Sequence, residues 1–168
     1  GLLELGFDLQ GGASGDVFAG TSAADRIEGL DGDDTLGGGA GDDVLNGGVG
    51  NDTYLFGRGG GIDRIYDHDL NANVDTVQFA ADVTVADVSV TRNGPDLELA
   101  LANTSDRLIL TNWYVGDAYK VELVRFADGT VWDTAQLQAL APLLPIMGTE
   151  GDDVLYSQGG VDNQVFGL

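Results

Sequence analysis

Apolar positions in the first part of the chain recur every nine residues. Written in nines it reads GGASGDVFA (11–19), GTSAADRIE (20–28), GLDGDDTLG (29–37), GGAGDDVLN (38–46) and GGVGNDTYL (47–55). A looser copy, RGGGIDRIY (58–66), follows the inserted Phe56 and Gly57. The eighth place is apolar throughout: Phe18, Ile27, Leu36, Leu45, Tyr54 and Ile65. Places seven to nine suffice for a short strand whose middle side chain points inward and whose neighbours point outward. The glycine-rich first six places can turn the chain back, because glycine reaches positive φ without a Cβ clash. Two nonads then make one circuit, and successive circuits stack as parallel strands about 4.8 Å apart. The eighth-place side chains form a thin apolar ladder between two short sheets, the coil that a fixed period of this kind implies.

From Asn73 onward the pattern becomes simple alternation. Leu97, Leu99 and Leu101 alternate with Glu98 and Ala100, and they follow Val88 and Val90 across Asn93-Gly94, a hairpin signal. Residues 107–111 read as another strand, and 120–126 and 130–132 flank Asp128-Gly129 as a second hairpin. Asp133 is placed to cap a short helix over 134–140, with Gln136 three positions on and Pro142 as the stop.

Composition then narrows the chemistry. The 168 residues carry 28 acidic and 7 basic side chains, a formal charge of −21, and 23 of the acids are Asp. Such a surface repels nucleic acid and anionic membranes and favours a cation as partner. Cysteine is absent, which excludes disulfides, zinc-thiolate sites and a thiol nucleophile. No apolar run is long enough to span a membrane. Of 27 glycines, 17 lie between Gly11 and Gly61, whereas 62–147 holds Gly94, Gly116 and Gly129, so the two stretches are built differently.

The sixth place of every copy is an aspartate: Asp16, Asp25, Asp34, Asp43, Asp52 and Asp63. Stacking sets these in two columns, Asp16/Asp34/Asp52 and Asp25/Asp43/Asp63, which repel themselves unless a cation lies between turns. Calcium, which takes about six to eight hard oxygens in tolerant geometry, suits carboxylates plus main-chain carbonyls aimed inward by a glycine turn; magnesium suits them poorly.

Region 11–66 resembles the RTX β-roll of bacterial proteins exported by type I secretion; copies 38–46 and 47–55 match its motif at every fixed place. The resemblance implies an all-β fold, a right-handed parallel β-roll followed by a small β-rich capping domain with one short helix. It also implies Ca2+, about four ions in the roll, each held between turns n and n+2. The upper turn would give the carbonyls of places two and four plus its Asp, and the lower turn those of places one and three plus its own. Carried over, the candidate ligands are Asp16, Asp25, Asp34, Asp43, Asp52 and Asp63. With them come the main-chain positions Gly12, Gly29, Asp31, Gly32, Gly38, Gly39, Ala40, Gly41, Gly47, Gly48, Val49 and Gly50. Ser14 and Ala23 depart from the motif at place four, Thr21 and Leu30 at place two, and Arg58 at place one.

The downstream stretch is similar to the small β-domain that often follows such rolls, through Leu110-Thr111-Asn112-Trp113-Tyr114 and residues 124–130. At Gly148 the nonad resumes as GTEGDDVLY, and the next copy has Gln164 where Asp is expected. The expected divisions are 1–66 roll, 67–147 capping domain and 148–168 a further repeat segment. The chain reads as a piece of a longer secreted, extracellular protein, with its neighbouring domains as partners.

Other constellations are weaker. Asp67, Asp69, Asn71, Asn73 and Asp75 alternate as in an EF-hand loop but lack its glycine and terminal Glu, so a solvated loop is expected over an accessory calcium site. The glycine clusters lack a P-loop lysine. His68 is the sole histidine and no nucleophile signature accompanies it, so no catalytic residue is assigned. Trp113, Tyr114 and Trp132 suit core packing better than a sugar platform. The expected function is a non-catalytic calcium-binding module that folds outside the cell. The alternatives are a glycan- or surface-binding adhesion module scaffolded by the roll, and an auxiliary module of a secreted enzyme.

Overall fold

The inward place eight and its nine-residue spacing set the architecture. A computed structural model describes residues 5–141; the expected repeat segment at 148–168 lies outside the described residues. With strands numbered in chain order, one sheet takes β1 (Asp8–Gln10), β3 (Arg26–Asp31), β5 (Val44–Val49) and β7 (Ile62–Ile65). The other takes β2 (Val17–Ala19), β4 (Thr35–Gly37), β6 (Thr53–Phe56) and β8 (Thr76–Phe79). All these neighbours pair in parallel: Leu9 lies opposite Ile27, Ile27 opposite Leu45 and Leu45 opposite Ile65. In the second sheet Phe18, Leu36, Tyr54 and Val77 follow one another in the same way. The ladder is therefore two-sided, and Ile27, Leu36, Leu45, Tyr54 and Val77 are fully buried. This is the parallel β-roll expected from the repeat. Strands β3 and β5 run longer than three residues, because pairing continues through Leu30 opposite Gly48 and Asp31 opposite Val49.

Positive φ marks where the turns become regular. Places two and four are left-handed at Leu30 (φ 82°) and Gly32 (124°), at Gly39 (97°) and Gly41 (122°), and at Gly48 (104°) and Gly50 (139°). Among the described residues the first two copies show no such angle, which is why Thr21, Ser14 and Ala23 are accommodated there.

The downstream stretch extends both sheets. Strand β11 (Arg107–Leu110) pairs in parallel with β7, and β10 (Asp96–Leu101) and β9 (Val88–Asn93) follow it antiparallel. On the other side β12 (Leu123–Arg125) pairs in parallel with β8, and β13 (Val131–Trp132) closes that edge. The sheets have seven strands, β1-β3-β5-β7-β11-β10-β9, and six, β13-β12-β8-β6-β4-β2, so neither is interrupted at residue 66. The physical reason is that the last rungs of the ladder, Ile65 and Val77, are covered by Leu110 and Val124 in register, and one core runs through both stretches. Arg58, which departs from glycine at place one, ties the two together: its guanidinium pairs with Asp87 at 2.8 Å and donates to the carbonyl of Ala102.

Both expected hairpin turns are present, with Gly94 and Gly129 at positive φ between β9 and β10 and between β12 and β13. Helix α1 (Thr134–Leu140) is capped by the Asp133 carboxylate, which accepts the Gln136 amide at 2.9 Å. Trp113 is fully buried and donates its indole N–H to the carbonyl of Val121, and Trp132 is buried against Phe126. Tyr114 is half-buried beneath the guanidinium of Arg92. With two of three aromatics in the core, they form no exposed platform.

Candidate metal centre

The sixth-place aspartates lie just before a strand, except Asp63, which is the second residue of β7, and the circuit of 18 residues, 20 across the insertion, sets each over its counterpart in the next turn. A repeated bond results: the main-chain N–H of one aspartate donates to Oδ1 of the next in its column. Asp16 donates to Asp34 (2.7 Å), Asp34 to Asp52 (2.8 Å) and Asp52 to Asp75 (2.7 Å). In the second column Asp25 donates to Asp43 (2.7 Å) and Asp43 to Asp63 (3.0 Å), while Phe7 donates to Asp25. Asp25, Asp34, Asp43, Asp52 and Asp63 are all buried. Both expected columns are therefore present in register, including the copy displaced by the Phe56-Gly57 insertion.

The second carboxylate oxygen separates the copies. In the first two it is occupied: Oδ2 of Asp16 accepts the amide of Gly12 at 2.8 Å, and that of Asp25 accepts the amide and hydroxyl of Thr21. In the next three, Oδ2 of Asp34, Asp43 and Asp52 is buried with no hydrogen-bond partner. An unpaired buried carboxylate oxygen is costly. Burial, opposed by the Asp16 amide, raises the Asp34 carboxyl, and burial likewise raises Asp43, with the charges of Asp25 and Asp42 adding to it. Burial pushes Asp52 and Asp63 up to about 7, reinforced by the neighbouring carboxylates. At Asp25 burial is outweighed by the bonds from Phe7 and Thr21, and its pKa is lowered.

Space beside each unpaired oxygen is kept open by the first-place glycine. A Cβ on Gly29, Gly38 or Gly47 would lie 2.1, 2.1 and 2.0 Å from Oδ2 of Asp34, Asp43 and Asp52. The same position on Gly29 would lie 2.5 Å from the carbonyl oxygen of Gly47, and on Gly20 it would lie 1.9 Å from that of Gly38, so lower-turn carbonyls border the gap. Places two and four stack as closely: a Cβ on Gly48 would meet the Leu30 carbonyl, on Gly39 that of Thr21, and on Gly50 that of Gly32. Other main-chain candidates are engaged between turns. The carbonyl of Gly12 accepts the Asp31 amide (3.1 Å), Ala40 donates to Thr21 (2.9 Å), and the carbonyl of Val49 accepts the Gly32 amide (2.8 Å). Among the described residues no three acidic or histidine side chains already gather into a metal cluster. A hard divalent cation nonetheless fits the donor set, two stacked carboxylates and main-chain oxygens around a gap only glycine permits.

Two members of the first column escape the nonapeptide. Asp75 takes the place below Asp52, and Glu122 the place below Asp75, its Oε2 accepting the Asp75 amide at 2.8 Å. The one local trace of them is a triplet of acid, any residue, apolar: Asp75-Thr76-Val77 and Glu122-Leu123-Val124 repeat Asp52-Thr53-Tyr54. The loop containing Asp75 is solvated at His68, Leu70, Asn71, Ala72 and Val74, but its aspartates are not: Asp67, Asp69 and Asp75 are 3, 5 and 0% exposed. These side chains turn inward because Asp75 continues the column and Asp69 accepts the Gly50 amide. Place five, finally, is more than a charged surface: exposed Asp42 accepts the Ile62 amide at 2.8 Å, and Asp33 accepts that of Asn51.

The profile of the RTX calcium-binding nonapeptide repeat matches residues 10–45, 19–54, 31–65 and 146–163. That of the haemolysin-type calcium binding protein related domain matches 96–136. The chain is 34% identical over 109 residues to iron-regulated protein FrpA of Neisseria meningitidis serogroup C, an alignment covering 62% of this chain and 9% of that protein. A similarity search of solved structures gives the AlgE6R3 subunit of the Azotobacter vinelandii mannuronan C5-epimerase at 26% identity and a TM-score of 0.38, covering 88% of this chain and 94% of that one. The chain thus carries RTX calcium-binding nonapeptide repeats, followed by a haemolysin-type calcium binding protein related domain.

Proposed function

We propose that calcium ions bound between successive turns supply the free energy that folds the roll, and that the chain is a calcium-responsive structural module of a larger secreted protein, with no catalytic role. The observation that carries this reading is the set of buried, unpartnered Oδ2 atoms of Asp34, Asp43 and Asp52, each beside a gap kept open by a glycine. Without a cation these columns are self-repelling and the apolar ladder is one side chain thick, too little to offset the ordering of so many glycines. With a cation, binding free energy becomes folding free energy. In a cytosol poor in calcium the chain stays unfolded and export-competent; at millimolar calcium outside it folds. About four ions in the roll, each sharing its aspartates with the next, account for the columns. The second stretch caps the roll by covering its final rungs.

Circular dichroism in chelator, in calcium and in magnesium tests the proposal. Sheet structure that appears cooperatively with calcium and not with magnesium supports it. Spectra that are the same in all three would sink it.

A further inference from the structure

The loop between β7 and β8 carries a carboxylate that the column does not explain. Asp69 is satisfied, its Oδ1 accepting from the main chain and side chain of Asn71 and its Oδ2 from the amide of Gly50. Asp75 is satisfied too, by the Asp52 amide on Oδ1 and the Asn73 side chain on Oδ2. Asp67 is not: it is 97% buried by its 3% exposure, and neither oxygen has a partner. It lies within hydrogen-bond range of the Asp75 carboxylate, a bond that forms only when one of the two carries a proton, and the other charges bearing on it, Asp52 and Glu122, are acidic as well. Asp52, one of those charges, has an unpaired Oδ2 of its own.

The chain closes over this group. The His68 ring packs on Tyr119 with centroids 4.8 Å apart, and the Asp69 amide donates to the carbonyl of Ala118 at 3.0 Å. Lys120, the lysine of the described residues, is turned to Asp117 and the face of Trp113. A buried carboxylate pressed against a second and near a third, with no basic side chain among its charged neighbours, lacks a counter-charge.

We propose that Asp67, together with Asp75 and the free Oδ2 of Asp52, binds a divalent cation of the calcium type where the roll passes into the second stretch. The three carboxylates are not gathered into a finished cluster; main-chain oxygens or water complete a shell of about six to eight, which calcium tolerates. The site shares Asp52 with the last turn of the roll but differs from the nonapeptide sites in its principal ligand, which lies outside every copy of the repeat. It draws on more carboxylates than a roll site does, and affinity in such sites rises with ligand charge, so it fills at lower calcium than the roll. The inference rests on the calcium reading of the column to which Asp52 belongs.

The test is diffraction from crystals of the unaltered protein grown with terbium as the probe, paired with native mass spectrometry of calcium-loaded protein and its Asp67→Asn variant. An anomalous peak at ligand distance from Asp67, and one ion fewer in the variant, are expected. Peaks in the roll with none at Asp67, or an unchanged ion count, overturn this site and leave the roll reading standing. No bound metal anywhere overturns both. Should the variant fail to fold, the crystals of the unaltered protein decide alone.

Discussion

Replacing Asp43 by Asn separates the ion's contribution from that of the hydrogen bond. Oδ1 of Asp43 accepts the Asp25 amide at 2.7 Å, and an asparagine keeps that acceptor while losing the charge and the unpaired Oδ2. Asp43 stands mid-column between Asp25 and Asp63, so an ion on either side loses a carboxylate. With dissociation constants of about 10⁻⁴ to 10⁻³ M, typical of extracellular calcium modules, about 10 mM calcium exceeds them roughly ten- to hundredfold. Each site then contributes about 1.4–2.7 kcal/mol. Loss of both costs about 3–5 kcal/mol, a large part of a small domain's stability. In chelator the sign changes, because burial and the charges of Asp25 and Asp42 already disfavour the Asp43 carboxylate, and neutralising it favours the metal-free fold. Asp42→Asn is the control: that side chain is exposed, and asparagine retains its bond to the Ile62 amide, so the effect should stay within about 0.5 kcal/mol. Urea denaturation in about 10 mM calcium and dichroism amplitude in chelator measure both arms. Equal effects of the two variants in calcium, or the same destabilisation by Asp43→Asn with and without calcium, would show that Asp43 holds no ion.

Gly47→Ala places a Cβ 2.0 Å from Oδ2 of Asp52 and should raise the calcium midpoint severalfold, whereas Gly116→Ala, which meets nothing within 4 Å, should leave it unchanged; calcium titration by dichroism compares them. Acid should act in opposite directions with and without the ion. Because Asp52 and Asp63 rise from 3.8 to about 7 in the metal-free fold, their protonation favours that fold fully below about pH 4, and the benefit fades as pH rises through about 7. Chelated protein should thus gain sheet structure on acidification, while calcium-loaded protein should lose affinity; spectra at two pH values show whether the signs differ. Trp113→Ala removes a fully buried ring bonded to Val121 and should cost about 3–5 kcal/mol in urea denaturation, with calcium stoichiometry in the roll unaltered if the second stretch acts as a cap.

The ladder and the columns were legible because period alone dictates them: an apolar place eight and an aspartate at place six leave one way to stack. Even the copy after the insertion kept its register, since Ile65 and Asp63 needed Leu45 and Asp43 beneath them. What stayed hidden was set by contacts between distant segments. Asp75 follows Asp52 by 23 residues and Glu122 follows Asp75 by 47, so no regular spacing announces either. The loop from Asp67 looked solvated because composition describes charge and not enclosure; burial there depends on Tyr119, Ala118 and Glu122 closing from the second stretch. The unbroken sheets were invisible for a similar reason. Parallel pairing of β7 with β11 spans more than forty residues, and alternation reveals a strand without naming its neighbour.

Amide hydrogen exchange across a calcium titration shows whether the turns stack only around bound ions. The N–H groups of Asp25, Asp34 and Asp43 donate to carboxylates of the next turn, and these bonds exist only when turns are stacked. All three should exchange rapidly in chelator and gain protection together, over one steep range of calcium, and not with magnesium. Equal protection without calcium would contradict this, by showing that the columns hold together with no ion between them.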